Sequence, residues 1–118
     1  MEKLILSLPV SVNKAFTWNP RMHFFVHTNE YTNYLEYESL RVKSYCKRHK
    51  IKPINCYTPL YLYFYLKNPR SDSHNCKKVL FDSLEQGGMF ENDKWILDRT
   101  MEVQIDKKNP RVEIYLSI

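Results

Sequence analysis

The segment from Tyr57 to Lys67 constrains the fold most, because its side chains alternate strictly between two types. One set is aliphatic or phenyl and consists of Leu60, Leu62, Phe64 and Leu66. The other set is mainly phenolic and consists of Tyr61, Tyr63, Tyr65 and Lys67. Successive side chains of a β-strand point to opposite faces, so the pattern predicts a strand with both faces at least partly covered. A tyrosine stripe of this kind favours a core or a subunit interface over a base-stacking platform.

Amphipathic helical segments lie before and after this strand in the sequence. The first begins at the capping residues Thr28 and Asn29 and runs to about Lys50. Its apolar face is formed by Tyr31, Tyr34, Leu35, Val42, Tyr45 and Cys46. The second is predicted to be capped by Asn75 and to end at Gly87-Gly88. Its buried side is expected to consist of Cys76, Val79, Leu80 and Leu84.

Alternating segments at both ends of the chain predict further strands. Lys3 to Leu8 alternates until Pro9 interrupts it. Near the other end, Met101, Val103 and Ile105 alternate, a turn is expected at residues 106–110, and Val112, Ile114, Leu116 and Ile118 alternate again. Two strands joined by a short turn favour a β-hairpin. The order strand, helix, strand, helix, strand, strand within 118 residues predicts a single small α+β domain with a mixed sheet.

The composition indicates a nucleic-acid partner without requiring one. Lys and Arg number 18 against 13 Asp and Glu, which gives a net charge of +5, and the chain has nine tyrosines. Basic and aromatic residues together favour nucleic acid, although a solvated positive surface accounts for the same excess. Residues 11–21 have the composition of a loop, with cations and aromatics interleaved. We interpret this segment as a candidate nucleic-acid-facing loop.

The sequence favours a cytoplasmic protein without a membrane partner. No run of about 18 apolar residues is present, and the first residues lack the apolar length of a signal peptide. The cysteines Cys46, Cys56 and Cys76 are odd in number and contain no Cys-x-x-Cys pair. A disulfide framework is therefore not expected. A zinc site from Cys56, His74 and Cys76 is a minor alternative, because a closed site needs four ligands.

A polar cluster at the predicted start of the second helix carries the chemistry. It contains Asp72, His74, Asn75 and Lys78, and Asp93 follows after one helix length. Carboxylates that hold Mg²⁺ or Mn²⁺ over a phosphodiester, with a lysine near the developing charge, lower the barrier to hydrolysis. A helix N-terminus adds amide donors for a phosphate. From spacing alone, turn residues, a helix cap and solvated charges remain the alternative.

The same residues resemble the RusA-type Holliday junction resolvases. That family has an Asp-x-Asp-Asn-x-x-Lys run, a Phe-Asp-Ala-Leu helix segment and an Asp-Asp pair before an apolar strand. The corresponding residues here are Asp72-Ser73-His74-Asn75-Cys76-Lys77-Lys78, Phe81-Asp82-Ser83-Leu84, Asn92-Asp93 and Ile96-Leu97-Asp98. The N-terminal part is similar in Leu8-Pro9, Ser11-Val12-Asn13-Lys14-Ala15-Phe16 and Thr28-x-Glu30-x-x-x-x-Tyr34. The resemblance spans nearly the whole chain.

This resemblance implies a small homodimeric endonuclease, usually of phage or prophage origin and acting in recombination and repair. Such an enzyme nicks four-way DNA junctions in symmetry-related strands with Mg²⁺ or Mn²⁺. By matched position, Asp72 and Asp93 are expected to bind the metal, and Lys78 to be the essential cation near the phosphate. The domain is expected to span residues 1–118. Two linked cuts need two identical sites at a fixed separation, which a two-fold dimer supplies.

His74 departs from the family pattern, because the second carboxylate of the motif falls at this position. Three interpretations remain open. His74 binds the metal and shifts the preference toward Mn²⁺, acts as a general base on the attacking water, or marks a weakened or inactive enzyme that only binds junctions. Asp98 and Glu91 are candidate replacement carboxylates.

DNA contacts are predicted from charge, position and the matched motifs. The predicted set is Asn13, Lys14, Arg21, Arg70, Asn75 and Lys77, with Lys78 also near phosphate. Two other hypotheses stand beside the nuclease. One is a non-catalytic junction-binding dimer on the same fold, and the other is a tyrosine-rich module that binds a protein partner.

Overall fold

The computed structural model describes residues 2–117, except for the side chains of Val12 and Asn13. The N-terminal part contains β1 (Leu4–Ser7), α1 (Val12–Ala15), β2 (Phe16–Asn19) and β3 (Phe24–His27). The remainder contains α2 (Asn29–Arg48), β4 (Thr58–Leu66), α3 (Ser73–Gln86), a 3-10 turn (Asp93–Trp95), β5 (Ile96–Ile105) and β6 (Arg111–Leu116). The predicted α+β class is confirmed. The alternation that was extended to Ile118 reaches beyond the described residues.

Four strands form one mixed sheet in the order β1, β6, β4, β5. β4 pairs in parallel with β5, whereas β6 pairs antiparallel with both β4 and β1. The parallel pair is connected through α3, as a parallel connection requires a crossover. Within the described residues no helix is both long and apolar enough to cross a membrane.

The predicted hairpin between the last two strands is wrong. β5 and β6 lie on opposite sides of β4, and each pairs with it. The connecting turn passes the end of β4, where the Asp106 N–H donates to the Leu66 carbonyl at 2.8 Å. Alternation predicts that a segment is a strand but does not specify its partner, and here the central strand β4 separates the two.

The predicted two faces of β4 are confirmed. Its aliphatic side chains are almost fully buried in one core with those of α2 and α3. The tyrosine face is half-buried, with Tyr63 packed edge-on against Tyr115 and Arg111 lying 3.9 Å over the Tyr65 ring. The helices therefore cover one side of the sheet, and the other side carries the phenol rings.

The predicted buried positions of both helices are also confirmed. α2 begins at the predicted cap Thr28, whose hydroxyl accepts the Tyr31 N–H at 3.3 Å. The end of α3 packs closely on α2, because a Cβ placed on Gly87 would lie 2.5 Å from the Val42 Cβ. Gly88 follows at φ 84°, a conformation that glycine adopts without strain.

Two local predictions need correction. The cap of α3 is Asp72, three residues before the predicted Asn75, and its carboxylate accepts the His74 N–H at 2.9 Å. Asp and Asn are both good caps, so residue type alone does not show which of the two begins the helix. Residues 11–21 are not a loop but contain α1, β2 and the first part of the turn that leads to β3. Aromatic residues of β2 pair with those of β3.

Candidate active site

Asp72 lies where the chain turns from the end of β4 into α3. The turn before it is held by the Asn68 side chain, which accepts the Arg70 N–H at 2.9 Å. Asp72 itself has an extended backbone, is exposed and uses one carboxylate oxygen for the cap. Its main-chain oxygen accepts a weak hydrogen bond from the Cys76 thiol at 3.5 Å. The capped start of α3 thus presents a carboxylate to solvent beside the positive end of the helix.

His74 and Asn75 occupy the first turn of the same helix. The His74 side chain is exposed and Asn75 is half-buried. Among the described residues, neither Asp72 nor His74 takes part in an ion pair. Both side chains are therefore sterically accessible to a ligand that approaches the helix start.

Lys78 belongs to a hydrogen-bonded network that joins the two long helices. Its ammonium donates to Asp82 Oδ1 at 2.8 Å, and the Tyr31 hydroxyl of α2 donates to Asp82 Oδ2 at 2.9 Å. The Asp82 hydrogen bond raises the pKa of Lys78, and the nearby carboxylates of Asp93 and Glu85 add to the increase. Lys78 is therefore fully protonated at neutral pH, with its position set by Asp82.

Asp93 lies beside the C-terminal half of α3. Its N–H donates to Glu85 Oε1 at 2.9 Å, and it begins the short 3-10 turn before β5. Asp72 and Glu85 are 13 positions apart, which corresponds to about 20 Å along a helix. The loop after α3 thus does not bring the Asp93 backbone back to the start of the helix. Lys78 lies between the two ends of α3. The Asp93 carboxylate contributes to the raised pKa of Lys78.

The metal ligands implied by the motif are not gathered into one cluster in this arrangement. Within residues 2–117 no group of three or more His, Cys, Asp or Glu side chains is placed to hold a metal ion. The carboxylate oxygens of Asp72 and Asp93 nevertheless have the chemistry that Mg²⁺ and Mn²⁺ prefer. The same holds for the alternative zinc site, because no such group is present within residues 2–117. Of its two cysteines, Cys76 is buried whereas Cys56 is exposed.

Lys77 and Asp98 form a second lysine–carboxylate pair on the sheet side of α3. Their charged atoms are 2.9 Å apart, and the Lys77 side chain is only 16% exposed. The other carboxylate oxygen of Asp98 is buried and has no hydrogen-bond partner among the described residues. Lys77 is therefore engaged within the protein, and Asp98 has an oxygen available. Glu91, the other candidate carboxylate, is exposed.

The remaining predicted DNA contacts lie on the surface around the helix start and the hairpin. Arg70 is exposed in the turn before α3, Arg21 is exposed in the β2–β3 turn, and Lys14 is exposed in α1. The Asn13 side chain is outside the described part of the structure. These exposed positions are compatible with phosphate contacts, whereas the Lys77 ammonium is paired with Asp98.

Asp82 and Tyr31 are the site residues that the sequence did not identify. Asp82 appeared only as part of a matched motif, although its i+4 spacing from Lys78 is a recognisable helix ion-pair signal. Tyr31 appeared only as an apolar position of α2. Its contact with Asp82 joins residues 51 positions apart, and no local pattern reports such a contact.

A comparison with models of known protein families gives a match over nearly the whole chain. The model described as endodeoxyribonuclease RusA matches residues 9–117, which include every residue of the cluster described above. A search of curated proteins found no significant match.

Proposed function

Because the chain belongs to the RusA endodeoxyribonuclease family, we propose that it resolves four-way DNA junctions by paired, metal-dependent nicking. Enzymes of this family are phosphodiester hydrolases that act on branched DNA. The domain of residues 1–118 acts as a homodimer in the cytoplasm of a bacterial host, as a protein of phage or prophage origin. The observation that carries the proposal is the family match across the whole α3 cluster, where exposed Asp72 precedes the protonated Lys78.

Asp72 and Asp93 are the proposed metal-binding carboxylates, with Asp98 or Glu91 as a further oxygen donor. Because these side chains do not form a cluster by themselves within residues 2–117, a bound divalent ion would have to draw them together. A divalent ion held by these carboxylates would supply positive charge at the phosphate and would make water a better nucleophile. The first amides of α3 and the positive end of its dipole favour a phosphate at the helix start. Asp72 is suited to this position because the cap fixes its carboxylate while leaving the side chain exposed.

Lys78 supplies positive charge where negative charge develops on the phosphate. A preorganised cation is effective because it needs no reorientation during the reaction. Asp82 and Tyr31 act as positioning residues, since their two hydrogen bonds fix the ammonium relative to both helices. Asn13, Lys14, Arg21, Arg70 and Asn75 are the proposed DNA contacts, whereas Lys77 is engaged by Asp98.

His74 is the residue that sets this chain apart within the proposal. Imidazole is a better ligand for Mn²⁺ than for Mg²⁺, so metal binding by His74 shifts the preference toward Mn²⁺. An exposed imidazole is also suited to act as a general base on water. Both roles predict activity. If His74 neither binds the metal nor acts as a base, the second candidate function is favoured, which is a junction-binding dimer without nuclease activity.

The proposed dimer forms along the free edge of β5. This strand ends the sheet, so its outer backbone groups lack a strand partner within the described chain. Val103 and Ile105 are 49% and 46% exposed, although their β4 register partners Phe64 and Leu66 are buried. An open apolar edge favours pairing with another strand, and a second copy supplies an identical one. Ile105→Lys is expected to yield monomers in sedimentation, whereas Gln104→Lys on the same strand is expected to retain the dimer.

The function is tested with an end-labelled four-way junction and a linear duplex of matched sequence. Incubation with Mg²⁺ or Mn²⁺ is expected to nick opposite strands of the junction at related positions and to leave the duplex intact. Chelation of the metal is expected to abolish product. Equal cutting of both DNAs would reject structure selectivity. Tight binding of the junction without product under either ion would favour the non-catalytic dimer.

A further inference from the structure

The β2–β3 hairpin forms a separate two-stranded sheet with one aromatic face. Its register places Phe16 opposite His27 and Trp18 opposite Phe25. Because alternate residues of a strand share a face, these four side chains lie on the same side. The paired rings are in contact, with centroids 5.0 Å and 5.4 Å apart. We refer to Phe16, Trp18, Phe25 and His27 as the hairpin aromatic face.

The outer part of this face is held open to solvent. Trp18 is 50% exposed and Phe25 is 65% exposed. The turn beyond them is ordered, because the Asn19 side chain accepts the N–H groups of Arg21 and Met22 at 3.0 and 3.1 Å. A two-stranded hairpin has little stability of its own in water. Large aromatic side chains exposed at its end are therefore unfavourable unless a partner covers them. The exposed rings therefore indicate a binding surface.

The charge around the hairpin favours a polyanionic partner. The sequence contains no Asp or Glu between Lys3 and Asn29, whereas Lys14 and Arg21 are exposed there and two histidines flank the β3 aromatics. A surface that joins aromatic rings to cations and lacks acids matches bases joined by phosphates. An association of two copies through this surface would instead bring like charges together.

The inner end of the face adjoins the site on α3. The rings of His27 and Phe16 lie 4.1 Å and 5.9 Å from the Tyr31 ring, measured between centroids. The Tyr31 hydroxyl donates to Asp82, which binds Lys78. A path of contacts thus leads from the inner pair of the face, Phe16 and His27, through Tyr31 and Asp82 to the lysine proposed to contact the phosphate.

We propose that the hairpin aromatic face stacks against unpaired or unstacked bases at the branch point of the DNA, next to the phosphate at Lys78. This inference rests on the proposed function and adds the element that distinguishes a branch from a duplex. In a duplex the base faces are already stacked on one another, whereas at a branch point they are accessible to an aromatic ring. Stacking is tolerant of sequence, since every base has a π face.

The test compares Trp18→Ala and Phe25→Ala with a matched control, Phe24→Ala. Phe24 has a similar exposure of 47% but points to the opposite face of the hairpin. Binding is measured in chelator, without cleavage, to a four-way junction carrying 2-aminopurine at the crossover and to a duplex of matched sequence. Each face variant is expected to weaken junction binding by about 5- to 150-fold, the range for loss of one stacked base, and to abolish the change in 2-aminopurine emission. Duplex binding and the control are expected to change by less than about 2-fold, because neither involves stacking on this face.

Three results would overturn the inference, and they separate it from the proposed function. If wild type cuts the junction but all three variants bind it equally, the face does not stack on bases and the nuclease assignment stands. If sedimentation shows that the Trp18 and Phe25 variants turn a dimer into a monomer, the surface joins two copies instead. If wild type neither binds nor cuts the junction, the proposed function fails together with this inference.

Discussion

The polar residues at the start of α3 and those in its middle differ in how far other residues of the protein engage them. At the helix start, Asp72 and His74 are exposed and have no ion-pair partner among the described residues. In the middle of the helix, Lys78 is bound to Asp82, which is bound to Tyr31 of the neighbouring helix. The first group leaves donors available for a metal and a phosphate, whereas the second fixes one cation in advance. The proposed site thus joins an open ligand-binding end to a preorganised charge.

Asp72→Asn has the largest expected effect, because it removes a metal-binding charge from the open end. Cleavage of the junction is expected to fall by at least about 10³-fold, the equivalent of several kcal/mol of lost metal stabilisation. Asn is as good a cap as Asp, so the free energy of unfolding is expected to change by less than about 0.5 kcal/mol. Single-turnover cleavage and urea unfolding measure the two quantities. Retained cleavage would remove Asp72 from the site.

Asp82→Asn tests the preorganised end and has an intermediate expected effect. Cleavage is expected to fall by about 10- to 100-fold, the range for loss of a group that orients a catalytic residue. Because the Asp82 hydrogen bond raises the pKa of Lys78, its loss is expected to lower that pKa toward its usual value near 10.5. The alkaline limit of lysine protonation then moves to lower pH. NMR titration of the Lys78 side chain measures this shift.

Tyr31→Phe and Glu36→Gln complete that comparison. Tyr31→Phe removes one of the two partners of Asp82 and is expected to reduce activity less than Asp82→Asn. Glu36→Gln changes an exposed charge on α2 and is expected to change neither activity nor the Lys78 pKa. A loss of activity in Asp82→Asn with an unaltered Lys78 pKa would contradict the proposal that Asp82 acts through its hydrogen bond with Lys78.

His74→Asp is expected to change metal preference more than rate. Replacing imidazole by a carboxylate supplies a hard oxygen donor, so activity with Mg²⁺ relative to Mn²⁺ is expected to rise by about 10-fold, a partial gain within the several kcal/mol available to metal catalysis. Rates measured with each ion over a range of concentrations give the ratio. An unchanged ratio together with an unchanged rate would contradict a role for His74 in the metal site.

Cysteine reactivity measures how firmly the start of α3 is packed. Among these predictions, it has the smallest expected effect. Burial raises the pKa of the Cys76 thiol to about 11, with a contribution from Asp72, and raises that of Cys46 to about 11. Both remain neutral and buried at mildly alkaline pH, whereas Cys56 is exposed. A thiol reagent is therefore expected to modify only Cys56 in the folded protein and all three cysteines in denaturant. Rapid modification of Cys76 in the folded protein would indicate that the helix start opens.

Much of the core could be predicted from the sequence because periodicity reports burial. The buried faces of both helices and the two faces of β4 follow directly from it. The partner of a strand does not, and the expected pairing of β5 with β6 failed because β4 lies between them. The hairpin of residues 16–27 was missed because its mixed polar and aromatic composition does not alternate cleanly.

The candidate site could be predicted only where its residues are close in the sequence. Asp72, His74 and Lys78 lie within two turns of one helix and match a motif. The position of Asp93 depended on the path of the loop after α3, which sequence spacing does not specify. The Tyr31–Asp82 contact depends on how two helices pack, and only the three-dimensional structure contains that information.

Cleavage of a supercoiled plasmid that extrudes a cruciform tests the central claim most directly. Two linked nicks across one junction convert the plasmid to a linear form, whereas one nick leaves an open circle. With Mg²⁺ or Mn²⁺, wild type is expected to give linear product, and Asp72→Asn is expected to give none. Open circles alone would contradict paired nicking, and a plasmid left intact by wild type under both ions would contradict the nuclease assignment.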